Sequence, residues 1–164
     1  MNAMPSSSGA TDRLRGDHVL LRADTLALLV PQAQVGTLAH LAEIPRPMAT
    51  RPGRFAATIE GAERVCAALS PQLRLLPTWP RGRYVVAPLL PSDAAGECDP
   101  IAWCWDDLRV LRALNATLHA LPPVLCRPGL PVEHYVVLDG APAFVTDAHR
   151  LLQFVATLSG EGRP

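Results

Sequence analysis

Lysine is absent from the sequence: all fifteen basic residues are arginine. Fifteen acidic residues match them, so the formal net charge is zero. With no cationic excess to neutralise phosphates, nucleic acid is not an expected partner. Aromatic residues make up only 5% of the chain, so any interface is expected to rest on aliphatic strand faces. Long apolar runs are also missing. None approaches the roughly 18–20 residues that span a bilayer, and the opening MNAMPSSSGATDRLRGD has no apolar core of signal-peptide length. The expected protein is cytoplasmic, without direct membrane insertion. Paired cysteines are lacking too: Cys66, Cys98, Cys104 and Cys126 form no CxxC pair and have irregular gaps. A zinc site would want paired ligands at short spacing. They read as free thiols in a reducing compartment.

What is present is short apolar segments divided by proline, glycine and acidic residues. At 164 residues the chain suffices for one domain, or two small halves sharing a core. Residues 1–16 read as a disordered tail, and residues 159–164 as another. HVLLRA and LALLVP form an expected hairpin through Asp24-Thr25, with Pro31 ending the second strand. QAQVGTLAHL puts Val35, Leu38 and Leu41 on one side of a short helix or extended turn. AEIPRPMATRPGR follows as a loop. RFAATIE, RVCAALS, RYVVAPLL and PIAWCW are further strands, with PSDAAGECD as an exposed loop before the last.

LRVLRAL reads as a strand with Leu108, Val110 and Arg112 on one face and Arg109, Leu111 and Ala113 on the other. LPPVLCRPGLP is a proline-punctuated loop. VEHYVVLDG and APAFVT make a hairpin through Asp139-Gly140, a dipeptide suited to positive φ. Asp147 then stands where an N-cap belongs, before the helix AHRLLQFVATL. Strands at intervals of about ten residues, without βαβ alternation, predict a barrel or sandwich.

The reactive groups do not assemble into a catalytic set. Asp106-Asp107 after a strand resembles a magnesium-binding phosphoacceptor pair, but such a site also needs a second acid and a lysine, so a turn role is expected. His149 reads as a surface histidine near a helix start rather than a phosphoacceptor. No G-x-S-x-G elbow, Walker loop, G-x-G-x-x-G or H-E-x-x-H occurs. Trp103 and Trp105 could share a strand face and stack a ligand; core or interface positions are the more ordinary use. The expectation is a non-enzyme with no metal and no cofactor.

In order, these segments resemble the CheW domain, the β-rich coupling module linking chemoreceptors to their histidine kinase in bacterial chemosensory arrays. HVLLRADTLALLVPQAQV resembles the family's opening hairpin, with Pro31 and then Val35. EGAERVCAALSPQLRLLP keeps the spacing of the next segment, with Gly61, Leu69, Leu73 and Leu75 in register. IAWCWDDLRVL is similar to the strand ending in Val-Asp, with Asp106 at the acidic position. VVLDGAPAFVTDAHRLL is similar to the closing hairpin, Asp and helix. The resemblance covers residues 17–158. It departs at Glu60, where the family usually has arginine, and at Val65 and Ala68, where it usually has Pro and Asp.

The resemblance implies a mainly β fold of two small five-stranded β-barrel halves around a shared apolar core, with a short C-terminal helix. It implies a non-catalytic adaptor whose partners are a histidine kinase regulatory domain, a chemoreceptor signalling tip, or both. Expected contact residues are Val35, Leu38 and Ile44, with Glu60 as the charge-reversed position and Trp79 and Trp105 as aromatic anchors. The alternatives are a small-molecule-binding β-barrel lined by the tryptophans, or an accessory regulator of a pilus-type chemosensory system.

Overall fold

A computed structural model describes residues 11–45, 48–79, 82–88 and 101–159. The expected loop PSDAAGECD, and Cys98 within it, lie outside these residues.

The strands are β1 (Arg13–Ala23), β2 (Leu26–Pro31), β3 (Val35–His40), β4 (Met48–Arg51), β5 (Arg54–Ile59), β6 (Ala62–Ala68), β7 (Tyr84–Pro88), β8 (Ile101–Trp105), β9 (Asp107–Thr117), β10 (His119–Ala120), β11 (His134–Leu138) and β12 (Ala141–Val145); α1 spans Ala148–Ser159. Two curled sheets result. One runs β10-β11-β12-β2-β1-β9 and joins both ends of the chain; the other runs β3-β7-β8-β6-β5-β4 and takes its middle. We call them the terminal and middle halves. Each has six described strands rather than the expected five. The additions are the four-residue β4, inside the stretch expected as loop, and the two-residue β10. β1 also begins at Arg13, four residues inside the stretch expected as tail.

Alternation along each strand explains how two small sheets share one core. In β8, Ile101, Trp103 and Trp105 point into the seam between the halves, while Ala102 and Cys104 point into the middle half. In β1 and β2, Val19, Leu21, Leu26, Leu28 and Val30 face the seam, while Leu20, Ala27 and Leu29 fill the terminal half. Strands buried on both faces must be apolar at every position, and so they read as unbroken runs. The middle half is filled by small side chains, Ala57, Cys66, Ala68, Ala102 and Cys104, against Leu41, Ile59 and Val85. Packed interiors of this kind leave the seam as the dominant apolar contact.

Turn chemistry fixes the registers. Glu60 and Gly61 have φ of 49° and 77° between the paired Ile59 and Ala62, as a type I′ turn requires. Asp139 and Gly140 do the same, with 51° and 79°, at the predicted hairpin. Gly53 follows Pro52 at φ 74° and leaves no room for a side chain: a Cβ there would lie 2.8 Å from Leu75 Cβ. This contact seats the β4–β5 turn on the 70–76 segment.

Candidate partner-binding surfaces

The acidic residues with a chemical look are spent on architecture. Asp106, between β8 and β9, accepts the Asp24 backbone N–H at 2.5 Å and donates its own N–H to Arg22 O at 2.7 Å. Asp147 Oδ1 accepts the Arg150 N–H at 2.8 Å, the N-cap geometry expected of it. Gln34 Oε1 takes the neighbouring Ala148 N–H at 2.8 Å, a second cap from a distant segment. Arg150 also pairs with Glu133 at 3.0 Å. His149 is exposed in the first turn of α1. Asp17 sits at a bulge beside Gly16, and the Ala113 N–H it accepts at 2.8 Å, with Arg112 at 3.1 Å, holds its carboxyl below the ordinary value. Among the described residues, no group of three or more His, Cys, Asp or Glu is placed to hold a metal ion. Burial pushes the Cys66 thiol up to about 11, against the opposing pull of Arg64, and pushes Cys104 higher still, with the neighbouring Cys66 adding to the rise.

Three of the six expected contact residues lie on or beside β3, an edge strand of the middle half among the described residues. That segment was expected as a helix or extended turn. It is a strand, irregular between Val35 and Leu38 and ended by a 3-10 turn at Leu41–Glu43. Leu38 is 44% exposed. Val35 is half-buried and packs on the seam, where it lines a crevice of about 20 Å³ with Val86, Trp103, Trp105 and Leu151. Ile44 is half-buried over the interior of the middle half. There it joins Trp79, whose ring meets Phe55 edge-on with centroids 5.4 Å apart. Glu60 is exposed at its turn, on neither surface.

Trp105 is a correction. At 1% exposure it is core, and it offers no partner an aromatic anchor. A buried indole removes roughly 150–250 Å² from water, worth about 4–6 kcal/mol at 25 cal/mol/Å². The Nε1 atoms of Trp103 and Trp105 find no acceptor among the described residues, at a cost of roughly 1–3 kcal/mol each. Packing outweighs the unmade bond.

The sequence reading passed over a second surface. Segments 71–77 and 121–130 face each other across two adjoining hollows of about 820 and 300 Å³, both lined by Leu73, Arg74, Arg127 and Leu130. The available signal was local: an arginine in each of two proline-flanked leucine segments, LSPQLRLLP and LPPVLCRPGLP.

Two packed half-barrels with a shared seam, an exposed edge strand and acids used as turn and cap ligands make up a mainly β protein. In fold it is similar to the scaffolding protein TtCheW from Thermoanaerobacter tengcongensis. The TM-score is 0.56 over 81% of this chain and 89% of that chain, at 11% sequence identity. The expected CheW-like fold is therefore observed. No protein-family model matches the sequence, and a search of curated proteins finds no relative.

Proposed function

We propose that the protein is a non-catalytic adaptor of bacterial chemosensory signalling, coupling a receptor to a histidine kinase through protein–protein contacts. The observation that carries this reading is the two-half fold it has in common with a CheW scaffolding protein over most of both chains. The use of Asp106 and Asp147 as backbone ligands supports a binding role, since neither carboxylate is left for chemistry. The packed interiors of both halves disfavour a small-molecule barrel, whose cavity would have to lie where aliphatic side chains meet.

The contact surface is β3 with its flanks. An edge strand offers unpaired backbone groups and an apolar side-chain row to a partner strand. Leu38 is the exposed apolar residue there, Val35 links the strand to the seam, and Ile44 continues it toward Trp79. Glu60 lies apart from this surface, exposed at the β5–β6 turn, and its charge, reversed from the one usual in the family, bears on partner choice through a separate contact there. Accordingly, Glu60→Arg strengthens binding to a conventional CheW-type kinase or receptor fragment, measured by calorimetry. Unchanged binding would remove Glu60 from the interface.

A further inference from the structure

On a different surface from β3, the groove between segments 71–77 and 121–130 has its own character. Its floor is apolar, formed by Leu73, Leu75, Leu130 and Phe154, and Val124 and Leu125 extend it over the rim at 84% and 51% exposure. Among the described residues, its charged lining residues are Arg74 and Arg127. Both are exposed, and neither guanidinium has a carboxylate partner among the described residues, although Arg109, Arg112 and Arg150 all do.

Both walls are held before any ligand arrives. Ser70 binds the turn carrying Arg74 three times: its N–H donates to Arg74 O at 2.8 Å, its carbonyl accepts Leu73 N–H at 2.9 Å, and its hydroxyl accepts Arg74 N–H at 3.2 Å. Opposite, Leu125 and Cys126 donate back to Pro122 and Pro123, and Leu130 donates to Arg127 O at 3.3 Å. A preformed groove loses less entropy on binding. Guanidinium groups without partners select planar anions such as carboxylates, which they grip with paired hydrogen bonds.

We propose that this groove binds a peptide segment of a protein partner, with an apolar centre on the leucine floor and flanking carboxylates on Arg74 and Arg127. Two open, adjoining hollows fit an extended chain rather than an enclosed small ligand. The proposal is independent of the adaptor reading, because it names neither kinase nor receptor and uses a different surface.

The test uses the full chain and a fluorescein-labelled heptapeptide with a Leu-Val-Leu centre between paired glutamates. Glutamine and lysine versions of the same peptide, and phosphatidylserine vesicles, serve as comparisons in anisotropy and co-sedimentation. The acidic peptide binds at least tenfold more tightly than the glutamine version, and added salt weakens it. Arg74→Gln and Arg127→Gln each lower affinity about three- to tenfold, and Arg74→Glu with Arg127→Glu shifts preference to the lysine peptide. Thermal melts of the variants match wild type, since both side chains are exposed. Equal binding of the acidic and glutamine peptides would overturn the proposal. So would undiminished binding by the double variant, or arginine-dependent binding of the vesicles alone.

Discussion

The Asp106 carboxylate accepts the backbone N–H of Asp24 at 2.5 Å, across 82 residues of sequence. Asp106 lies where the chain leaves β8 of the middle half for β9 of the terminal half, and Asp24 sits in the β1–β2 turn at φ 54°. One side chain therefore pins the crossing between halves to a strained turn. Asp106→Ala lowers stability by about 1–2 kcal/mol, toward the lower end for a bond to a charged group because the site is exposed. Asp106→Asn loses less, because its amide oxygen still accepts. Chemical denaturation with both variants measures the difference.

At the start of α1, a local cap from Asp147 and a distant one from Gln34 share the work. Asp147→Ala costs about 0.5–2 kcal/mol and Asp147→Asn much less. Gln34→Ala costs a similar amount, although Gln34 is 114 residues away in sequence. Urea titrations of the single variants check this; wild-type stability in both alanine variants would contradict the cap.

How far the fold was legible follows from where each strand's period survives. IAWCW and LALLV announce strands, but a run apolar at every position hides that alternate residues serve different cores. QAQVGTLAHL suggests a short helix or extended turn because Val35, Leu38 and Leu41 recur at threes; the irregularity after Val35 and the 3-10 turn at Leu41 produce that spacing in a strand. In β9 the pairing shifts between Leu111 and Leu114, beside Ala113 at φ 48°, which returns Leu114 to the interior face with Leu111. A faultless two-residue period was therefore the wrong template beyond Leu111. β4 was invisible because all four of its residues are exposed and no alternation marks them. Of the expected contact residues, Val35, Leu38 and Ile44 fall together on and beside β3, while the burial of Trp105 was not legible. Nothing in WCW tells which face the seam will take.

That correction has a measurable consequence. Trp105→Ala, which empties part of the seam, destabilises by about 3–5 kcal/mol. Trp79→Ala, at a half-buried site, costs about 1–2 kcal/mol. Thermal or urea unfolding separates them. Equal, small losses would return Trp105 to the surface.

The cysteines divide by burial. Cys126 is exposed, while Cys66 and Cys104 lie inside the middle half with raised thiol pKa values. Burial keeps the folded Cys66 thiol neutral to about 11 against an ordinary 9.0, so stability attributable to it holds below pH 9 and is lost between pH 9 and 11. At neutral pH, iodoacetamide modifies Cys126 in the native protein and reaches Cys66 and Cys104 only on unfolding. Peptide mapping by mass spectrometry reads this directly; native labelling of Cys104 would contradict the packing of the middle half.

The central claim is that the protein couples signalling partners through the β3 surface. Its most direct measurement is calorimetric titration of the full chain with the cognate histidine kinase's CheW-like regulatory domain and with a chemoreceptor tip fragment, alongside Leu38→Asp. The account predicts binding to at least one partner, with weak dependence on salt because the contact is apolar. It predicts at least a tenfold loss in Leu38→Asp, while stability stays within about 0.5 kcal/mol of wild type. Absence of binding to both partners by the folded protein, or full binding by Leu38→Asp, would contradict it.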